Sequence, residues 1–92
     1  METAVLCEIK PGLRESERTV GVVDVHGRKE FLRIEESYLR HEGNQTYLPV
    51  GFIYEHSASG SVLIELPPEA DSGARRMFVP RQNVLLRDRV PA

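Results

Sequence analysis

The apolar residues of this chain come in short bursts separated by turn residues, and none is long or periodic enough for an amphipathic helix. Ala4 to Ile9 is halted by Pro11 and Gly12. Thr19 to Val25 carries Val20, Val22, Val23 and Val25, β-branched residues that suit a pleated strand and lose rotamer freedom in a helix. Gly21 and the adjacent valines break the alternation there, which predicts a bulge. Further strands are expected over Lys29 to Ile34, Leu39 to Glu42, Gln45 to Val50, Gly51 to His56, Ser61 to Leu66 and Arg75 to Val79, with a short final element over Gln82 to Leu86. Between them stand turn signals: His26-Gly27-Arg28, Gly43-Asn44, Ser57 to Gly60, and the longer Pro67 to Ala74. Leu13 to Arg18 reads as an exposed loop, and Glu35 to Tyr38 as the one helix-like turn.

This pattern predicts an all-β fold: a small, partly open β-barrel of about 6–8 short antiparallel strands with at most one or two helical turns. A barrel suits short strands because closure removes edges they cannot otherwise protect. Ninety-two residues bound the answer to a single domain, expected over 1–88 with a frayed tail over 89–92. The one cysteine, Cys7, excludes an internal disulfide and a multi-cysteine zinc site. Without a secretory leader pattern, a spanning apolar run or a disulfide framework, the expectation is a cytoplasmic protein with no membrane association.

The last third carries a resemblance. Val62 to Leu66, a polar loop, Met77-Phe78-Val79-Pro80 and then Asn83-Val84 resemble the end of a Src-homology-3-type barrel. In that family a strand ends in an apolar residue and proline, a 3₁₀ turn follows, and an Asn-aromatic-Val step enters the last strand. Here the Asn-Val step comes one residue later and lacks the aromatic, and the family's acidic, tyrosine-rich ligand motif is missing. The resemblance therefore implies barrel architecture and not binding of proline-rich peptides. Gly21 to Val25 leading to Tyr47-Leu48-Pro49-Val50 is also similar to PRC-barrel and related small bacterial domains, which are mostly adaptor or appended modules.

Catalytic patterns are sparse. His26, His41 and His56 recur at a spacing of fifteen, and three imidazoles can hold zinc with an open position, but no two are close enough to form a local ligand pair. Polar residues at turns account for His26 and His56. Cys7, flanked by Leu6 and Glu8 in an apolar strand, is expected to be a buried small hydrophobe on the face of Val5 and Ile9. Glycines do not form a phosphate loop, and Glu35-Glu36 and Glu69/Asp71 are expected in solvated turns. The sequence therefore predicts no catalytic set, no metal site and no cofactor.

Charge is uneven. Residues 1–71 carry seven basic and thirteen acidic side chains, residues 72–92 five basic and one acidic. Arg75, Arg76, Arg81, Arg87 and Arg89 are candidates for a basic patch, and arginine suits bidentate contact with carboxylate or phosphate. The turn-forming segment Glu69 to Arg76 is the candidate recognition loop, so Glu69, Asp71, Arg75, Arg76 and Arg81 are the expected partner-binding residues. Against nucleic acid stand the acidic balance and the few aromatics, with Phe31, Phe52 and Phe78 expected in the core. The leading expectation is a non-enzymatic protein–protein interaction module, monomeric or weakly homodimeric. An RNA- or ribonucleoprotein-associated barrel using the same arginines is the second, and a small metal-dependent enzyme the third.

Overall fold

The computed structural model describes residues 2–87. Its strands are β1 (Glu2–Pro11), β2 (Glu17–Val23), β3 (Lys29–Glu35), β4 (Arg40–Glu42), β5 (Gln45–Pro49), β6 (Gly51–His56), β7 (Ser61–Glu65), β8 (Arg76–Pro80) and β9 (Val84–Arg87). Two 3₁₀ turns, Glu36–Tyr38 and Arg81–Asn83, are the only helical pieces among the described residues. The chain is all-β and every ladder is antiparallel. The nine strands among the described residues include β4, which is only three residues long, and β5 and β6, which part at Val50 as expected.

The strands form two sheets. Six strands gather around β1 in the order β3-β2-β1-β5-β4, with β9 also on β1; β6-β7-β8 is a separate three-stranded sheet. No strand ladder among the described residues links the two, so the hydrogen bonding does not close into a barrel. Single backbone bonds tie them instead. The Val25 amide donates to the Phe78 carbonyl at 3.0 Å, the Asp71 amide to the Phe31 carbonyl at 2.7 Å, and the Val50 amide to the Thr3 carbonyl at 3.0 Å.

The core lies between the sheets and follows the two-residue period of strands. Leu32 and Ile34 on β3, and Val62 and Ile64 on β7, point inward, joined by Val5, Val20, Val22, Leu48, Leu66 and Val79. This core is aliphatic, and the three phenylalanines expected in it are on the surface: Phe31 is 38% exposed, Phe52 46% and Phe78 39%. Alternation explains Phe78, which sits between the inward residues Met77 and Val79. Phe31 faces outward between Glu30 and Leu32, paired with Gly21, and a Cβ on Gly21 would come within 3.2 Å of its ring.

The bulge expected at Gly21 to Val23 is absent, since β2 runs in unbroken register against β3 from Glu17 to Val23. Gly21 is there because the Phe31 ring covers it. The register break lies on β6 instead, between Phe52 and Tyr54. The exposed loop expected over Leu13 to Arg18 is shorter, because β2 already begins at Glu17. Gly27, Gly43, Gly60 and Gly73 all take positive φ, as their turns require, and no other described residue does.

Candidate functional site

The outer face of β6-β7-β8 carries the main cluster of exposed aromatic side chains. Tyr54, Leu63 and Phe78 are cross-strand neighbours on three adjacent strands. The Tyr54 and Phe78 rings meet edge to face, with centroids 6.3 Å apart and planes at 83°, and Tyr54 meets His56 the same way at 6.3 Å and 86°. The turn between β2 and β3 folds over this face. Its Val25 is fastened to β8 by the bond to the Phe78 carbonyl and completes the apolar wall of a groove of about 470 Å³. His26, His56, Ser59 and Ser61 line the polar part of that groove.

Local chemistry builds both rims. Asp24 organises the β2–β3 turn: one carboxylate oxygen, Oδ1, accepts the amides of His26 at 2.8 Å and Arg28 at 2.9 Å. Desolvation pushes the Asp24 pKa up, but the amide bonds from Arg28 and His26 and the positive charges of those residues outweigh it and hold the carboxyl below its usual range. At the other rim, Ser59 Oγ lies 2.7 Å from His56 Nδ1 and 2.6 Å from Ser61 Oγ, and donates to the His56 carbonyl at 3.2 Å. A serine–histidine contact of this kind invites a hydrolytic reading. That chemistry needs a third group to orient the imidazole, and among the described residues no carboxylate hydrogen-bonds His56. The Ser59 hydroxyl acts as a turn closure.

Most of the residues that charge alone had singled out are held in ion pairs. Asp71 pairs with Arg33 at 3.0 Å, Arg76 with Glu65 at 3.3 Å and Arg81 with Glu55 at 3.4 Å. Arg81 also donates to the Val84 carbonyl at 3.1 Å. Arg87, far along β9, meets Glu42 at 2.7 Å. Glu69 and Arg75 are exposed and make no ion pair among the described residues. Arg89 lies outside the described residues. Glu69 to Arg76 is a strap as well as a surface loop: its Asp71 amide and its Ser72 hydroxyl, which donates to Glu30 at 2.6 Å, hold it against β3.

His26 and His56 come together in the groove, whereas His41 sits apart against Glu36 at 2.7 Å and Thr46 at 3.2 Å. Among the described residues no group of three or more ligating side chains is placed to hold a metal. Cys7 is half-buried rather than buried, with its thiol 3.5 Å from the Thr46 carbonyl, and burial pushes its pKa up to about 12. A thiol so reluctant to ionise is a poor nucleophile. No described helix is long and apolar enough to cross a membrane.

The groove is what the sequence reading missed. Phe78 was recoverable from the alternation of Met77, Phe78 and Val79. Tyr54 was not, because the register break beside it changes which β6 side chains face outward. A scan of protein-family models finds no match to the chain, and comparisons with curated proteins and with solved structures find none either.

Proposed function

We propose that this chain is a non-enzymatic recognition module that binds another protein through the outer face of its three-stranded sheet. The observation that carries the reading is the aromatic groove. Tyr54, Phe78 and Val25 expose apolar surface together, while the interior is packed from aliphatic residues without them. Binding sites favour large aromatic anchors with a polar rim, and this groove has both. In architecture we read the two sheets as halves of a small, partly open barrel of the Src-homology-3 kind. Support comes from the way β1 is shared among β2, β5 and β9, and from the order β8, Pro80, 3₁₀ turn, β9.

The arginines count against the RNA alternative, because Arg76, Arg81 and Arg87 each sit on a carboxylate and offer phosphate little uncompensated charge. Capture from cell extract tests the proposal, with thermal melts as the folding control. The Tyr54→Ser/Phe78→Ser protein should lose the partners that the wild type retains, and Arg75→Glu/Arg76→Glu should keep them. Identical partner sets from wild type and the Tyr54/Phe78 variant would overturn the groove as the site. Partners released by nuclease would favour RNA.

A further inference from the structure

Resting on that recognition reading, we infer that the groove takes an acidic linear peptide, with an apolar side chain against Val25, Tyr54 and Phe78 and an adjacent carboxylate at His26 and His56. Charge complementarity carries this. None of the thirteen acidic side chains among the described residues lines the groove, whose ionisable groups among those residues are the Tyr54 phenol and the two imidazoles. The carboxylates flanking these histidines in sequence are already engaged. Asp24 holds the turn amides, and Glu55 pairs with Arg81. Both ring nitrogens of His26, and Nε2 of His56, have no hydrogen-bond partner among the described residues. An incoming carboxylate therefore meets unpartnered imidazole nitrogens and no carboxylate among the described lining residues.

The apolar half selects a side chain over a nucleobase. Because Tyr54 and Phe78 stand nearly perpendicular, their rings form a corner and not a slot, so a flat base stacks on one ring at most. A phenylalanine or leucine side chain fills such a corner by touching both. The volume, about 470 Å³, is within the usual range of pockets that hold small ligands or a few side chains.

The test uses the full chain, nitrogen-15 labelled, at about pH 6. The probes are a blocked peptide with phenylalanine followed by aspartate in a glycine–serine frame, its asparagine counterpart, and a short oligouridylate. The aspartate peptide should shift the amides of Val25, His26, Tyr54, Ser59 and Phe78. The asparagine peptide should bind about fivefold more weakly, the difference between a charge-assisted and a neutral hydrogen bond. In the His26→Gln/His56→Gln protein that preference should vanish. Equal affinities for the two peptides in the wild type would overturn the acidic ligand while leaving the groove as a recognition surface. Tighter binding of the oligouridylate would overturn the peptide. Shifts elsewhere, or none from either peptide at saturation, would overturn this inference, and the recognition reading would then rest on the Tyr54/Phe78 capture result alone.

Discussion

Asp24→Asn isolates the charge that holds the groove's wall. In the native turn Asp24 Oδ1 accepts two backbone amides, at 2.8 and 2.9 Å, and its second oxygen lies 3.8 Å from Arg28 Nε. Asparagine keeps a carbonyl acceptor of the same shape, so what it removes is the charge assistance. For two partly sheltered bonds that loss is about 1 kcal/mol at neutral pH. In a domain of this length it corresponds to a fall in Tm of roughly 4–8 °C. The native pKa of Asp24 is lowered, so across the titration the unfolded chain binds more protons than the folded one. The stabilisation is therefore complete above the unfolded value of about 3.9 and is lost as pH falls through the lower folded value. Melts of wild type and Asp24→Asn should differ at neutral pH and converge in acid, where the protonated carboxyl and the amide are near equivalents. A gap that persists undiminished to about pH 2, or one below about 1 °C at neutral pH, would refute the reasoning.

Two further outcomes follow from single side chains. Gly73 has φ +92° with nothing within 4 Å of where a Cβ would stand, so Gly73→Val meets pure backbone strain. It should cost about 1–2 kcal/mol in a urea melt, and Gly73→Asn should cost less. Cys7, with its thiol pKa pushed up to about 12 by burial, should react with a maleimide at mildly alkaline pH at least ~100-fold more slowly in the native protein than in denaturant. A native rate matching the denatured one would place the sulfur in solvent.

Much of the fold was legible because the signals are local. Two-residue alternation places Val62, Ile64 and Leu66 inward, and all three are buried as that predicts. Gly27, Gly43, Gly60 and Gly73 mark turns because a positive φ is a property of one residue. The losses were non-local. Gly21 looked like a bulge, but its reason is Phe31 on the neighbouring strand. The partners of the arginines are also non-local: Arg76, Arg81 and Arg87 draw their acids from Glu65, Glu55 and Glu42. The phenylalanines were assigned by residue type to a core that aliphatic side chains fill. The groove depends on a turn from one sheet meeting the face of the other, and no window of sequence contains both.

That meeting also fixes the shape of the groove proposed as the site. The two sheets share no ladder, but each sends a loop to the other's edge strand: the β2–β3 turn bonds β8 through Val25, and the β7–β8 loop bonds β3 through Asp71. Each bond occupies one carbonyl at an edge that would otherwise be available to a further strand. The ion pair of Arg33 with Asp71 and the hydroxyl of Ser72 on Glu30 reinforce the second stitch, so this part of the β7–β8 loop is committed to fastening. The first stitch fixes the Val25 wall against Phe78 before any ligand arrives. On the proposed reading, a partner would meet a surface whose ordering cost has already been met in folding, and preorganisation of this kind lowers the free energy that binding must supply. Loosening Asp24 should therefore weaken peptide binding as well as stability, whereas loosening the Asp71 stitch should lower stability and leave the groove's affinity nearly unchanged.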